Sequence, residues 1–339
     1  MDLNTIWFIL VGVLLTGYAV LDGFDLGTGA LILFVKDDTD RRIFLNAIGP
    51  VWNGNEVWLV TGGGALFAAF PNVYATVFSG FYDAFMLLLA ALIFRAAAIE
   101  FRGQYPGARW RAMWDTVFAV ASVSGALLIG VAIGNLVWGI PLDPHHEFRG
   151  DFFTLLKPYT LLVALTGLAL FAMHANLYLL LKTEGALQRR LAGWTKRTIP
   201  AYLVLFALMN AATVIARPMV RDALQSRLPL IGAIFIVSVA ITFNIVRLVQ
   251  RARYGLAFIS SAGSIVTLMM LFGAAIYPNL VFSWPEPANS LNIVNGASTQ
   301  PSLKFMFIVA IIGVPIVLAY TASIYYVFRG KVTLTDHSY

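Results

Sequence analysis

Two aspartates lie within the first hydrophobic segment of the chain, in the stretch Gly17–Gly29 (GYAVLDGFDLGTG). Asp22 and Asp25 are three residues apart, so on a helix they project from roughly the same face. A charged side chain inside a bilayer costs about 2.5–3.5 kcal/mol on insertion scales, so such residues usually face protein or water and mark an ion or proton pathway. The alternative is that both aspartates lie near the membrane interface and are solvated there.

Glycines accompany these carboxylates. Gly23 and Gly27 form a pair of small residues four positions apart, a spacing that lets a neighbouring helix approach closely. A further glycine-rich stretch, Thr61–Gly64 (TGGG), lacks the Lys and the following Ser or Thr of a phosphate-binding loop. We therefore interpret it as a second site of close helix packing.

A second polar group lies in Val51–Trp58 (VWNGNEVW), directly after Pro50. Proline is favoured at the start of a helix, so Asn53 and Glu56 are expected to project from one face of the first turns. Another acid, Asp115, begins a later hydrophobic segment in the stretch RWRAMWD. Protonatable groups joined by water in the inner half of a membrane suit a proton-uptake route. The candidate proton-pathway residues are Asp25, Glu56, Asp115, Asp22 and Asn53.

A structural interpretation of the same residues stays open. In it, Asn53 caps its helix and the two later acids form ion pairs with nearby arginines. The candidate pairs are Glu56 with Arg41 or Arg42, and Asp115 with Arg111.

Three more polar residues occur in hydrophobic segments. Asp83 and Arg95 are roughly 18 Å apart on a straight helix, so they cannot pair with each other. We expect Arg95 to extend to the membrane interface and Asp83 to have a buried polar role. His174 could be a proton relay or haem ligand, or it could hydrogen-bond to a neighbouring helix.

The composition is that of a multi-pass membrane protein. Of 339 residues, 59% are hydrophobic and only 12% are charged, whereas soluble domains carry about 25% charged residues. The net charge of +6 comes from Lys and Arg between the hydrophobic segments, where membrane topology requires them, so it does not indicate nucleic-acid binding. We predict a single all-α transmembrane domain covering residues 1–339, with a retained first span.

Metal and haem ligands are scarce in this sequence. Cysteine is absent, which excludes disulfides, iron–sulfur clusters and Cys-ligated zinc or haem. A haem with two His ligands cannot be built because only one of the four histidines falls in a hydrophobic segment, although a His/Met pair stays formally open. We predict no catalytic residue, haem ligand or metal ligand in this chain. The histidines are His145, His146, His174 and His337.

Hydrophobic segments long enough to cross a bilayer predict nine transmembrane helices. Placing the N-terminus outside puts most of the 23 basic residues on the cytoplasmic side, which predicts an N-out, C-in orientation. Arg217, Arg221 and Arg227 disagree with this assignment. The polar outer loop 279–303 could be a lid or face a partner protein. The predicted spans are 5–35, 51–70, 74–100, 113–138, 158–181, 199–216, 229–249, 255–278 and 304–328.

Several stretches of this chain resemble subunit II of the cytochrome bd-type quinol oxidases. They are DGFDLGTG, the long block Arg41–Tyr82, RWRAMWD, and the region from YPNLVFS to VPIVLAYTASIYYVFRGKV. The stretch HANLYLLLKTEG is similar to the family's His-Gly-Ala stretch, with Ala175 and Asn176 in place of Gly and Ala. The resemblance covers nearly the whole chain.

The resemblance implies a heterodimer with a haem-bearing subunit I, in a bacterial or archaeal cytoplasmic membrane. Each subunit would have two four-helix bundles and one peripheral helix, and haems b and d would belong to the partner subunit. Quinol would be oxidised and dioxygen reduced to water, with protons taken from the cytoplasm. A structural quinone, a path for dioxygen and a small single-helix subunit are further features that the family suggests.

One position departs from the family pattern. An acidic residue often occupies the position of Asn53, and an asparagine cannot take up a proton, so Glu56 or Asp25 would have to carry the transfer here. Two other functions stay open: an ion-coupled secondary transporter that uses Asp22 and Asp25, and a purely structural scaffold for a membrane partner. The absence of a visible sequence repeat argues against the transporter.

Overall fold

The computed structural model describes residues 2–216 and 227–334. Arg217, Arg221 and His337, which the sequence analysis named, lie outside the described residues. The described chain is predominantly α-helical, as predicted. This is the arrangement that apolar segments adopt in lipid, because a helix satisfies its backbone hydrogen bonds internally.

The helices are numbered in chain order. The first six are α1 (Leu3–Leu21), α2 (Gly23–Ile32), α3 (Asp38–Ile48), α4 (Trp52–Ala69), α5 (Pro71–Gly80) and α6 (Tyr82–Arg102). The remaining six are α7 (Ala108–Trp138), α8 (Pro158–Lys182), α9 (Gly185–Ala216), α10 (Leu228–Gln250), α11 (Tyr254–Ile276) and α12 (Gln300–Val327). Two short 3-10 helices, Phe153–Leu155 and Pro287–Asn289, and two strands, β1 (Asn279–Val281) and β2 (Leu291–Asn292), complete the described elements.

Within the described ranges, eight helical segments are long and apolar enough to cross a membrane. The first of them combines α1 and α2 into one segment, Leu3–Ile32. Helix α4, which was predicted to be a span, is not among the eight. Its first two turns carry Asn53, Asn55 and Glu56, and these residues lower its mean hydropathy.

The structure differs from the predicted spans in three places. The predicted span 74–100 is two helices, α5 and α6, which meet at Phe81. Helix α9 begins at Gly185 rather than near 199, and it continues through Pro200. The charged stretch after the first span contains α3, which a search for apolar spans misses because only one face is buried. The Asp37 side chain caps α3 by accepting a hydrogen bond from the backbone of Asp40.

The helices form two groups of four and one peripheral helix. Helix α1 with α2, together with α4, α6 and α7, forms the first group, while α8 to α11 form the second. Helix α8 lies between the groups, because it packs on α2 and α7 as well as on α9 and α11. Helix α12 touches α1 and α4, and none of its apolar membrane-crossing window is buried. It matches the expected peripheral helix.

The loop between α7 and α8 and the loop between α11 and α12 join into one closed cap, which we call the outer cap after the predicted orientation. The backbone amide of Ile140 donates to the carbonyl of Phe282 over 3.0 Å, and the amide of Trp284 donates back to Ile140 over 2.9 Å. The Asn289 side chain donates to the carbonyl of Leu142 at 2.8 Å. Strands β1 and β2 pair as an antiparallel hairpin within the second loop. These bonds tie down a loop that could otherwise have served as a free lid.

Candidate functional site

A break between α1 and α2 positions the two aspartates of the first span. Helix α1 ends at Leu21 and α2 begins at Gly23, with Asp22 between them. His174 from α8 stabilises this break by donating from Nε2 to the carbonyl of Val20, at 2.9 Å. Asp22 and Asp25 are both completely buried, so the prediction of an interior location is confirmed and interfacial solvation is excluded.

Close packing at the glycines of α2 is confirmed. A Cβ atom added to Gly27 would lie 2.0 Å from the carbonyl oxygen of Phe171 in α8, and one added to Gly23 would lie 2.8 Å from the ring of Phe171. No side chain fits at these separations. In the TGGG stretch only Gly62 behaves in this way, because it contacts Leu15 of α1.

Arg95 of α6 is the cation that faces the aspartates. Its Nη1 atom donates to both carboxylate oxygens of Asp22, at 2.7 and 2.8 Å, and its Nη2 atom lies 3.4 Å from Oε2 of Glu56. Arg95 is completely buried, so the expected extension to the membrane interface is wrong. The buried carboxylate of Asp22, at the break between α1 and α2, keeps the guanidinium inside the protein, since an unpaired charge there would be strongly unfavourable.

Asp25 is bound differently from Asp22. Its Oδ2 atom accepts a hydrogen bond from Nδ2 of Asn55 at 2.8 Å, and Oδ1 of Asn55 accepts one from the hydroxyl of Tyr325 at 2.8 Å. The second carboxylate oxygen of Asp25 has no hydrogen-bond partner. Asp25 therefore has a neutral amide as its partner where Asp22 has a guanidinium.

Asn55 and Tyr325 were not identified from the sequence. Asn55 is two residues from Asn53, and residues two apart on a helix point to nearly opposite sides. The structure buries Asn55 and exposes Asn53, and no side chain caps the start of α4, so the expected capping role of Asn53 is wrong. The run of polar residues signalled a site in α4 but did not show which asparagine faced it.

Four groups define what we call the inner acid cluster: Asp22, Asp25, Glu56 and Arg95. The carboxyl groups of Asp22, Glu56 and Asp25 all lie close enough to interact with the charge of the Arg95 guanidinium. Several buried polar atoms around this cluster lack hydrogen-bond partners. They are Oδ1 of Asp25, Nε and Nη2 of Arg95 and the hydroxyl of Tyr18. Buried polar atoms are usually satisfied, so this concentration is unusual for a protein interior.

A second group of ion pairs, which we call the arginine cluster, lies at the end of α6. Arg102 donates from Nε to Oδ1 of Asp115 at 2.6 Å and from Nη2 to Oδ1 of Asp38 at 2.6 Å. Arg41 donates to Oδ2 of Asp115 at 2.9 Å, and Nε of Arg111 lies 3.6 Å from Asp38. In this cluster three cations surround two carboxylates.

The arginine cluster changes the predicted pairings. Asp115 pairs with Arg102 and Arg41, so its expected pairing with Arg111 is wrong. Glu56 pairs with Arg95, and the expected pairing with Arg41 or Arg42 is also wrong. Asp115 was expected to gather with Asp25 and Glu56, but it belongs to this separate cluster. Arg95 and Arg102 are seven residues apart on α6, or roughly 10 Å along the helix.

Two further candidates have definite positions. Asp83 is exposed and lines a surface cavity of about 390 Å³ with Glu147 and Asp151, so its expected burial is wrong. His174 is buried, and its Nδ1 atom lies 2.6 Å from the hydroxyl of Ser261. The same Ser261 hydroxyl donates to the carbonyl of Phe258 at 2.7 Å. Both ring nitrogens therefore contact neighbouring helices, as the structural interpretation of this residue expects.

These contacts bear on haem and metal binding. His174 has no free nitrogen for an iron atom. Among residues 2–216 and 227–334, no group of three or more His, Cys, Asp or Glu side chains could hold a metal ion. The inner acid cluster itself contains carboxyl groups and one guanidinium, with no histidine or cysteine among its four members.

The outer cap carries the acids whose surroundings favour the charged form. Backbone hydrogen bonds from Glu147 and His145, together with the Arg149 guanidinium, lower the pKa of Asp143. Hydrogen bonds from the Thr154 hydroxyl and amide lower the pKa of Asp151. These groups stay ionised at neutral pH and fix the shape of the cap.

Comparison with known proteins gives one consistent result. Residues 3–328 match the family described as cytochrome bd terminal oxidase subunit II. The chain is 36% identical to the cytochrome bd-I ubiquinol oxidase subunit 2 of Escherichia coli (strain K12), with 98% of this chain and 96% of that protein covered. It is 34% identical to the cytochrome bd ubiquinol oxidase subunit 2 of Bacillus subtilis (strain 168), with 98% and 97% covered.

The fold has a similar counterpart among solved structures. A chain of the bd oxidase from Geobacillus thermodenitrificans matches with a TM-score of 0.81 and 17% sequence identity, covering 97% of this chain and 98% of the other. At that identity the likeness concerns the fold. It confirms the all-α membrane architecture predicted from the sequence.

Proposed function

Because this chain belongs to the cytochrome bd terminal oxidase subunit II family, we propose that its inner acid cluster passes protons from the cytoplasm towards a haem-bearing partner subunit. The chain is a subunit of an oxygen-reducing quinol oxidase. One observation carries the proposal: Asp25 is fully buried, has one unpartnered carboxylate oxygen and lies beside a second acid and a single guanidinium.

The three acids of the cluster suit different steps. Asp22 receives two hydrogen bonds from Arg95, which stabilise its charged form. Asp25 has a neutral amide partner and a free oxygen, so it is the carboxyl best able to accept a proton. Glu56 is the accessible member, with 24% of its side chain exposed, and it lies in the second turn of α4 where a proton could enter. Reduction of dioxygen to water consumes protons, which this route would supply.

The direction of the route depends on the N-out, C-in orientation, which we propose for this chain. The orientation puts the start of α4, the end of α6 and the end of α12 on the cytoplasmic side. One of the residues that disagreed with it has a local role: Arg227 donates to the carbonyl of Tyr277 at 2.9 Å and to that of Ala274 at 3.3 Å. It satisfies carbonyl groups at the end of α11, so its location is explained by hydrogen bonding.

We propose that the partner subunit covers the outer faces of α4 and α12. A Cβ atom added to Gly54, Gly63 or Gly64 of α4 would meet nothing within 4 Å, although small residues in membrane helices usually mark close helix contacts. Val60 is 71% exposed in α4 and Phe305 is 69% exposed in α12. These adjoining apolar surfaces are suited to helices of a haem-bearing subunit I.

Purification of the complex tests the proposal. The tagged chain is expected to co-purify with a haem-containing partner, and Asp25→Asn is expected to slow quinol-dependent oxygen consumption about tenfold or more, while the haem content per complex stays normal. A positioned proton-transfer group contributes about 10²–10⁴-fold when the step limits the rate. Unchanged turnover would remove Asp25 from the proton route. Loss of haem together with activity would favour an assembly role.

A further inference from the structure

Tyr325 connects the peripheral helix α12 to the inner acid cluster. It lies in the last turn of α12, and its ring meets that of Phe24 edge-on, with centroids 6.5 Å apart and an interplanar angle of 89°. Its hydroxyl donates to Oδ1 of Asn55 at 2.8 Å. Phe24 precedes Asp25 in α2, so the tyrosine is held beside the acid without touching it.

The intermediate residue, Asn55, has two chemically different ends. Its Oδ1 atom can only accept a hydrogen bond, and its Nδ2 atom can only donate. With Oδ1 accepting from the Tyr325 hydroxyl, the amide presents Nδ2 to Asp25. An amide rotated by half a turn would instead present its oxygen to Asp25, which would repel a carboxylate and favour the protonated acid.

We propose that Tyr325 is a positioning residue for proton transfer, which holds the Asn55 amide with its Nδ2 atom towards Asp25. The role rests on the proposed function of the inner acid cluster. A fixed donor stabilises the carboxylate that remains after a proton is passed on, so it favours release of the proton towards the partner subunit. Tyr325 acts through Asn55 and is not itself a carrier of the proton.

The tethers at the end of α12 support this role. Helix α12 has few contacts within the bilayer, so the position of Tyr325 depends on how the helix end is held. Nζ of Lys331 donates to the carbonyls of Leu181 and Thr183 at 2.8 Å each. Lys182 donates in return to the carbonyl of Phe328, and the amide of Val332 donates to Lys182 at 2.9 Å. These reciprocal bonds pin the end of α12 to the end of α8.

Other ionisable groups surround Asp25 and stay unchanged when Tyr325 is altered. Asp22 and Tyr18 come from the first span, Glu56 from α4 and Arg95 from α6, while Tyr178 and His174 come from α8. A substitution that removes only the Tyr325 hydroxyl therefore isolates the contribution of the Asn55 amide.

The test compares Tyr325→Phe with Tyr326→Phe in the purified two-subunit complex. Tyr326 is the adjacent residue and is 67% exposed, so its hydroxyl serves as the control. Tyr325→Phe is expected to move the high-pH limb of quinol oxidase turnover upwards by about one pH unit, because the Asn55 amide is no longer held with Nδ2 towards Asp25 and its hydrogen bond to the carboxylate is weakened. Tyr326→Phe is expected to leave it in place. Infrared difference spectra provide a second measurement: a carboxyl C=O band that is missing in Asp25→Asn should shift in Tyr325→Phe.

A double-mutant cycle decides whether the effect passes through Asn55. In the Asn55→Ala background, Tyr325→Phe is expected to add no further shift of the pH profile. An additive shift would overturn the positioning role, as would a Tyr325→Phe enzyme that behaves like Tyr326→Phe. If Asp25→Asn slows turnover and Tyr325→Phe does not shift its pH profile, only this inference fails. If Asp25→Asn leaves turnover unchanged, the proposed function fails as well.

Discussion

The inner acid cluster and the arginine cluster each surround an arginine of α6 with carboxylates, yet they differ in the ratio of acids to arginines. In the inner cluster three carboxyl groups share Arg95, and Oδ1 of Asp25 has no partner. In the arginine cluster, three cations surround Asp38 and Asp115, and both oxygens of Asp115 accept hydrogen bonds. In the first cluster one carboxylate oxygen is left without a partner, whereas in the second arginines bind both oxygens of Asp115.

This difference separates two roles that a sequence motif cannot distinguish. A carboxylate that receives charge-assisted hydrogen bonds on both oxygens is stabilised as an anion and acts as a structural link. Asp115 is such a group, because it joins α7 to α6 and to α3 through Arg102 and Arg41. A carboxyl with an amide partner and a free oxygen, such as Asp25, can change its protonation state at a smaller energetic cost.

The largest effect is expected from Arg95→Gln, which removes the only cation of the inner cluster. Breaking a buried ion pair by removing one partner costs about 3–5 kcal/mol, and here several acids would lose their counter-charge together. We expect little assembled complex and a large fall in its thermal midpoint, measured by the loss of the haem spectrum on heating. Arg95→Lys keeps the charge and should recover part of the yield. Normal assembly of Arg95→Gln would contradict the pairing seen in the structure.

Asp115→Asn sharpens the comparison by reversing the expected phenotype of Asp25→Asn. It weakens two charge-assisted bonds, so the free energy of unfolding should fall by about 2 kcal/mol, while turnover per haem changes less than twofold. Arg190→Gln, which removes an exposed partner of Asp40, is the matched control and should change stability by less than about 1 kcal/mol. A pronounced loss of turnover in stable Asp115→Asn complexes would place Asp115 on the proton route.

A smaller contrast is expected within α4. Glu56→Gln removes a titratable group near Arg95 and should reduce turnover roughly tenfold. Asn53→Asp adds an acid at an exposed position and should alter turnover less than twofold. Oxygen consumption by the two purified variants measures both effects. The reverse ranking would show that the family position now occupied by Asn53 keeps its function despite its exposure.

The smallest effect on stability is expected in the outer cap, where Asp143 forms an ion pair with the exposed Arg149. The pKa of Asp143 is lowered in the folded protein, so its contribution to stability is present above its ordinary pKa and is lost as the pH falls through the lowered value. Asp143→Asn should therefore lower the thermal midpoint slightly at neutral pH and have no effect at strongly acidic pH. An effect that grows on acidification would contradict this assignment.

Much of the architecture could be predicted from the sequence, because the length of an apolar segment indicates a membrane-spanning helix and pairs of small residues indicate close helix contacts. The positions of the polar side chains were predicted less well. The side of a helix on which Asn55, Asp83 or Arg95 lies depends on neighbours that are distant in the chain, and a single sequence does not contain those neighbours as a local pattern. The break at Asp22 was also missed, since it depends on tertiary contacts such as the one from His174.

The Tyr325–Asn55 contact joins residues 270 positions apart, and the Trp7 indole donates to the carbonyl of Leu303, 296 positions away. Both contacts connect the beginning of the chain to its final helix. During biosynthesis the early helices therefore enter the lipid before the final helix exists, so the Asn55 amide and the Trp7 indole lack these partners until the last segment has been made. A chaperone or the partner subunit that engages the nascent chain would shield these two polar groups in the interval.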